Sequence, residues 1–330
     1  MGLFDLYPPL GNFYASAKAF GARGGFVNGL NPTLVGPVYY VSGNANVLWG
    51  PTGSDANNGL SPTTPLATMA RAFALIYNTT GTQYVEQVGA TIVLIGTIRE
   101  QVTAPIVKNV TIIGASLNPY QGTDSGADNG AGCGCWLAPT SPTVSTPLLT
   151  IVEQGWKVYN VMFGTVASTP SLRLKGLETT AFPDASHAIV DGCYFATQGL
   201  TAEDGIGGYN LFKCQFTNNY FLGLTGTAIK GEDVSIRTPA SNLFANNYFR
   251  ACANAINMPQ NYGVIDNNRF KDITTVKIDT ATGADNYVGI NFFDNDQTDI
   301  TVANGYIGNA SDIWRNWSAN TAALTVGVPS

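Results

Sequence analysis

Short apolar runs recur along this chain in a pattern that fits neither one helix face nor a simple alternating hairpin. Val38-Tyr-Tyr-Val41, Ala90-Thr-Ile-Val-Leu-Ile95 and Val110-Thr-Ile-Ile-Gly114 are continuous apolar stretches suited to strands buried within a sheet. Five later segments share one ending: Val158-Tyr-Asn-Val-Met-Phe163, Val190-Asp-Gly-Cys-Tyr-Phe195, Leu211-Phe-Lys-Cys-Gln-Phe216, Phe244-Ala-Asn-Asn-Tyr-Phe249 and Ile265-Asp-Asn-Asn-Arg-Phe270. Their closing phenylalanines are 32, 21, 33 and 21 residues apart. One β-like run in every 20 to 35 residues, roughly, is the mark of a solenoid. Cys193, Cys214, Asn247 and Asn268 each sit two residues before a closing phenylalanine. Like residues at like positions predict coils in register, about 4.8 Å apart. The spacing therefore predicts that Phe195, Phe216, Phe249 and Phe270 stack in one internal column.

The two ends depart from this pattern. Residues 1–37 show neither helical nor strand periodicity, yet carry Phe4, Leu6, Tyr7, Leu10, Phe13, Tyr14, Phe20 and Phe26. These are too many apolar groups to leave in water, so the segment reads as an arm laid on another surface, its own body or a partner. Gly29-Leu-Asn-Pro32 and Gly36-Pro37 join it to the solenoid through extended or turning backbone. Over residues 65–77, Thr64 is a fair helix N-cap and Pro65 suits the first helical position. Leu66, Met69, Ala70, Phe73, Ile76 and Tyr77 then fall on one helical face. Such a helix would cover the open first coil of a solenoid, which otherwise exposes its core. Residues 118–147, rich in Gly, Pro, Asp and Ser, predict an excursion from one coil. Residues 301–330, with Trp314, Trp317 and the apolar Ala322 to Val328 stretch, would seal the far end or meet a partner.

The stretch Gly53-Ser-Asp-Ala-Asn-Asn-Gly-Leu-Ser-Pro62, followed by Pro65-Leu-Ala-Thr-Met-Ala-Arg-Ala72, resembles the entry module of right-handed parallel β-helix proteins of the pectin-lyase-like superfamily. The direct likeness covers about twenty residues, and the repeats extend it over 38–300. It implies an all-β, right-handed parallel β-helix with an N-terminal capping helix and an extended arm. It also implies the kinds of protein that carry the module, many of them surface and phage proteins.

Charge narrows the partners. Across 330 residues, 16 Lys and Arg stand against 22 Asp and Glu, for a formal net charge of −6. With no basic run, a sequence-independent grip on nucleic acid or on an anionic membrane is not expected. No stretch reaches 18 consecutive apolar residues, and the first 25 residues do not read as a secretory signal. Five cysteines form no disulfide framework. Cys193 and Cys214, on rungs read as equivalent, are expected as small reduced hydrophobes in a stack. Cys133-Gly-Cys135 lacks the further ligands of a zinc site and reads as loop. Sequons at Asn78, Asn109, Asn309 and Asn316 follow from the abundance of Asn and Thr. That abundance has a solenoid explanation: Asn tolerates left-handed turns and can ladder its amides between coils.

Candidate chemistry is sparse. Glu203-Asp204 and Glu232-Asp233, with Arg237 behind them, fall after the strands ending at Phe195 and Phe216. Two carboxyl groups about 5 to 10 Å apart could act as acid and base or nucleophile on a glycan. With calcium and an arginine base they would resemble a pectate lyase. Otherwise they are solvated loop charges. The polygalacturonase signatures are missing: the chain has no Asp-Asp pair and no Gly-His-Gly, and Arg173-Leu-Lys175 precedes rather than follows the one histidine, His187. His187 therefore reads as a histidine satisfied at a loop edge. Asp294 to Asp299 lacks the glycine and glutamate of a calcium loop, and no phosphate-binding fingerprint occurs. No catalytic residue, metal or cofactor is expected.

The residues themselves show a stable acidic solenoid with an anchoring arm; the resemblance implies a structural protein of a phage virion surface, a capsid decoration or short fibre, expected to join capsid or tail proteins through the arm and to form a homo-oligomer. One alternative is a tailspike-like protein that binds or cleaves a host glycan. Another is a cellular polysaccharide lyase or hydrolase.

Overall fold

The computed structural model describes residues 36–43, 52–78, 85–115, 134–175, 185–209, 211–233, 239–279, 286–289, 291–293, 312–313 and 317–318. Three sheets account for most of them. A ten-stranded sheet runs from Val38–Val41 to Asp312–Ile313, a nine-stranded sheet from Thr97–Arg99 to Trp317–Ser318, and a seven-stranded sheet from Val102–Thr103 to Val276–Asp279. Neighbouring strands in all three are parallel. One coil contributes one strand to each sheet: Lys157–Tyr159, Met162–Gly164 and Pro170–Lys175 are followed by Ile189–Asp191, Tyr194–Ala196 and Asp204–Tyr209. The chain is thus a three-sided, right-handed parallel β-helix, the hand that parallel crossovers take.

Each sheet sends one column of side chains inward. The first contains Ile92, Ile112, Val158, Val190, Phe216, Phe244 and Ile265. The third contains Leu149, Leu172, Ile206, Ile229, Ile256 and Ile278. The second is largely aromatic: Trp136, Phe163, Phe195, Phe221, Phe249 and Phe270. From Phe163 to Phe270 its ring centroids lie 4.9–5.1 Å apart with planes 6–11° from parallel. All these rings are buried, and each contributes about 1.5–3 kcal/mol through lost water contact.

Phe216 does not join Phe195, Phe249 and Phe270. It packs in the first column on Phe244, at 5.1 Å, and Phe221 takes the expected place beside Phe195. Local sequence does not separate the two positions. Lys213-Cys-Gln-Phe216 and Asn218-Asn-Tyr-Phe221 both put a left-handed residue three places before a phenylalanine, but at different corners of the same coil.

Corners are where the asparagines act. Between first and second sheets, Asn160, Gly192, Asn218, Asn246 and Asn267 all have positive φ, a region Asn and Gly tolerate. At 192 a Cβ would stand 2.5 Å from Asn160 Oδ1, so glycine leaves that side chain its place. The next residues inward, Asn219, Asn247, Asn268 and Asn291, are buried and form a ladder. The backbone N–H of Asn219 donates to Asn247 Oδ1 (3.0 Å), that of Asn247 to Asn268 Oδ1 (3.0 Å) and that of Asn268 to Asn291 Oδ1 (2.9 Å). Their Nδ2 groups donate to the carbonyls of Val190, Phe216, Phe244 and Ile265 in the coil before. Cys193 occupies this corner, its N–H donating to Asn219 Oδ1, whereas Cys214 lies at the corner leading into the first sheet, where its N–H meets Asn242 Oδ1. The two cysteines are therefore not on equivalent rungs.

The capping helix spans Met69–Ile76, beginning later than position 65. Leu66 is held extended instead, bridging Val41, with its N–H on Tyr40 O and its carbonyl on Ser42 N. Thr68 is the N-cap, accepting from Arg71 N. Asp55 of the entry module takes the N–H groups of Ala67 and Thr68 and the Thr68 hydroxyl. Glu100 takes those of Met69 and Ala70. Two acids thus satisfy the helix start, where orphan donors and the dipole favour negative charge. Met69, Ala72, Phe73 and Ile76 face inward, Ala70 is exposed, and Phe73 meets Trp156 edge-on at 5.9 Å.

Within 118–147, Cys135–Leu137 is a strand of the second sheet, with Trp136 filling an inward position. Cys135 is accordingly a buried strand residue rather than part of a loop. The arm residues Phe4, Leu6, Tyr7, Leu10, Phe13, Tyr14, Phe20 and Phe26 lie outside the described residues, as do Arg237, Cys133 and Trp314. Two strands within 301–330, Asp312–Ile313 and Trp317–Ser318, continue the first and second sheets.

Candidate functional site

The singled-out acids converge on the third sheet and the corner before it. Asp204 opens the strand Asp204–Tyr209, and Glu232 and Asp233 end Thr227–Asp233, so strands rather than loops carry them. This sheet is glycine-rich, with Gly205, Gly207 and Gly208 in one strand and Gly231 in the next. Glu232 uses the space this leaves. A Cβ at Gly207 would stand 2.7 Å from Glu232 Oε2, so the carboxylate lies across Gly207 to reach the strand beyond. There Arg173 Nε donates to Oε2 (2.8 Å) and Nη2 to Oε1 (2.7 Å), a bidentate pair spanning two coils. Nη2 also reaches Thr169 Oγ1 at 3.3 Å, and the guanidinium carbon lies 5.8 Å from the Tyr209 ring centroid. Partial burial pulls the Arg173 pKa down. The hydrogen bonds and charge of Glu232, with Tyr209 and Asp204 beyond, more than offset this and hold it above the usual arginine value.

Asp204 is committed in the same way. Its Oδ1 accepts from Thr227 N at 2.6 Å and its Oδ2 from Lys230 Nζ at 3.1 Å. Glu203 is fully buried at the corner between second and third sheets. Its carboxylate accepts the hydroxyls of Thr165 and Thr197 and the N–H of Gln198, the last at 2.6 Å. A general acid or base needs a proton-transfer atom facing the substrate, and glycan cleavage needs two carboxyls across a gap. Here Glu203 is enclosed, while the oxygens of Asp204 and Glu232 are held by neighbouring coils. The arrangement is a set of latches between rungs.

The remaining candidates stand apart. His187 is exposed at a positive-φ corner, edge-on to Phe212 at 6.0 Å. Burial pushes the Cys193 and Cys252 thiols up to about 12, far from the range of a nucleophile or metal ligand. Among the described residues no group of three or more His, Cys, Asp or Glu is placed to share a metal ion, and no helix is long and apolar enough to cross a membrane.

One feature escaped the sequence reading. The residues just before the inward phenylalanines, Tyr194, Tyr220, Tyr248 and Arg269, line up with Phe292 as a column on the outer face of the second sheet. The repeated Tyr-Phe pair was its signal, hidden by placing Phe216 where Phe221 belongs.

The chain matches no family model and no curated protein. Among solved structures it is similar to a rhamnogalacturonan lyase, over 85% of this chain and 87% of that one, at 10% identity and a TM-score of 0.38. It is similar to the surface protein and adhesin PfbA of Streptococcus pneumoniae over 63% and 71% of the two chains, at 16% identity and a TM-score of 0.35. A third likeness, to the lacto-N-biosidase of Eubacterium ramulus, covers 85% of this chain and 62% of that one, at 11% identity and a TM-score of 0.36. Likenesses this distant carry no argument about activity, and the parallel β-helix rests on the strand pairing itself.

Proposed function

We propose that this protein is a non-catalytic, structural β-helix, displayed on the surface of a phage virion as a decoration or short fibre. The observation that carries the non-catalytic part is the pairing of Glu203, Asp204 and Glu232 with threonine, lysine, arginine and backbone partners inside the fold. The virion part is supported by the entry module, whose resemblance is to surface and phage proteins, and by the apolar residues of 1–37. On this reading the arm attaches the rod to capsid or tail proteins or to a sister subunit. Two measurements test it. The full chain, incubated with capsular and pectic polysaccharides, should release no reducing ends or unsaturated products. Antibody against the chain should label the outside of intact virions. Cleavage lost in Glu232→Gln would overturn the first part, and labelling confined to the cell would overturn the second.

A further inference from the structure

The outer face of the first sheet is closed over its first three coils and open beyond them. Tyr40, Val93 and Ile113 stand in register on that face, with exposures of 1%, 6% and 7%. Thr91 and Thr111, in the neighbouring outward column, are buried as well. Tyr40, Val93, Ile95 and Ala115 form an apolar cluster distinct from the interior, with Val38 packed against it. The later rungs supply the control. Tyr159 follows Ile113 in register, and Ile189, Gln215, Leu243 and Val264 continue the Thr111 column. Gln215 is exposed and the other four are half-buried, although their side chains are of similar size. Packing within the sheet therefore leaves this face half open, and a further layer lies over the first three coils. The Thr91 hydroxyl is a second sign. It is fully buried on this face and has no hydrogen-bond partner among the described residues, whereas buried hydroxyls are ordinarily paired.

The described neighbours act elsewhere. The helix Met69–Ile76 turns its apolar side to the interior, and Gly59 and Leu66 of the entry loop hydrogen-bond the free edge of Val38–Val41. We propose that residues 20–35, which lie outside the described residues, cover this face in the same chain. The chain enters the fold beside it. Gly36 presses so closely on the second coil that a Cβ would stand 2.6 Å from the Gly89 carbonyl carbon, and the Pro37 carbonyl accepts from Thr91 N. Crossing from the first rung to the third takes about 10 Å, the span of about three extended residues, so the segment is long enough. It brings Phe20, Phe26, Val27, Leu30, Leu34 and Val35 to the apolar cluster, and backbone carbonyls to the Thr91 hydroxyl. Residues 116–133, which leave the fold at Ala115, hold only Leu117 and Tyr120 as large apolar side chains, beside Asp124 and Asp128, and suit the face less well. The inference rests on reading 1–37 as a docking arm and divides that arm. Residues 20–35 root it on its own rod, and Phe4 to Tyr14 are left for a partner.

Trypsin acting on the full folded chain tests it, because Arg23 lies within the covering segment. Cleavage after Arg23 should be slow, and should quicken by about tenfold or more in Val93→Asp/Ile113→Asp, which places charge under the cover. Leu243→Asp, further along the same face, should leave it unchanged. An unaltered circular dichroism spectrum shows that each variant folds. A second measurement leaves the solenoid untouched: in Phe26→Ser/Leu30→Ser/Leu34→Ser, hydroxyl-radical labelling of Tyr40 should rise severalfold. Cleavage after Arg23 as fast in the unaltered chain as in the double variant would overturn the proposal. So would Tyr40 staying protected in the arm variant, which would assign the cover to 116–133. Protection of Arg23 that falls on dilution would also overturn it, by assigning the cover to a second copy. Failure of antibody to label virions would count instead against the virion role and leave this contact standing.

Discussion

The second and third sheets share every coil between Met162 and Lys271, yet are held together by different means. The second is built from three-residue strands in unbroken register, with an aromatic column inside and a buried asparagine ladder at its entry corner. The third has strands of three to seven residues, several glycines and a register shift between Gly208 and Tyr209. There the ion pairs Arg173–Glu232 and Lys230–Asp204 cross the rungs. Where strand length is constant, like side chains repeat, and their stacking with the asparagine ladder fixes the register. Where it varies, directional charge pairs on an outer face pin strands that packing leaves loose.

The largest expected effect lies inside the second sheet. Phe221→Ala removes a ring stacked on Phe195 at 4.9 Å and on Phe249 at 5.0 Å, and should cost about 3–5 kcal/mol in denaturant unfolding. The outward Phe292→Ala should change stability by about 0.5 kcal/mol or less. Equal losses from the two would break the assignment of inside and outside.

Asn247→Ala comes next. It removes the acceptor for Asn219 N and Nδ2 and the donor to Phe216 O, all buried, and should cost about 1–3 kcal/mol. Hydrogen exchange should quicken at the amide of Asn219 before it does in the third sheet. On the third sheet, Glu232→Gln leaves Arg173 without its charge partner. With Arg173 21% exposed, solvent compensates in part, and the loss should be about 1 kcal/mol, shrinking in high salt. A salt-independent loss would mean that Glu232 acts by packing.

The pH dependence of the cap should be smaller still. Burial raises the Glu100 pKa above its ordinary 4.5, with the Asp55 charge adding to this and the N–H groups of Met69 and Ala70 opposing it. The folded carboxyl thus holds its proton more tightly than the unfolded chain does. Its contribution to stability is complete below 4.5 and is lost as pH rises through the raised folded value. Glu100→Gln should flatten that slope in denaturation midpoints measured across it. A steeper slope would show that the backbone donors dominate.

Much of the architecture was legible because a solenoid repeats its instructions. Interval length, apolar runs, corner asparagines and the entry module all predict stacked coils, and the three sheets follow. The capping helix was legible in kind but not in its start, because Asp55 and Glu100 hold Ala67 to Ala70 from distant sequence positions. The acids were visible as residues and misread as loops. Their partners are set by coil stacking: Arg173 and Glu232 are 59 residues apart, and Gly207 must lie bare between them.

By itself, then, the sequence determined the repeat, the parallel stack and the residue types at its corners, since each depends on neighbours within one coil. Tertiary structure alone decided which coil meets which residue. Lys213-Cys-Gln-Phe216 and Asn218-Asn-Tyr-Phe221 carry the same local geometry, and only stacking sends one phenylalanine to Phe244 and the other to Phe195 and Phe249. Local conformation is set over three or four residues, whereas register is set by burial summed over whole rungs.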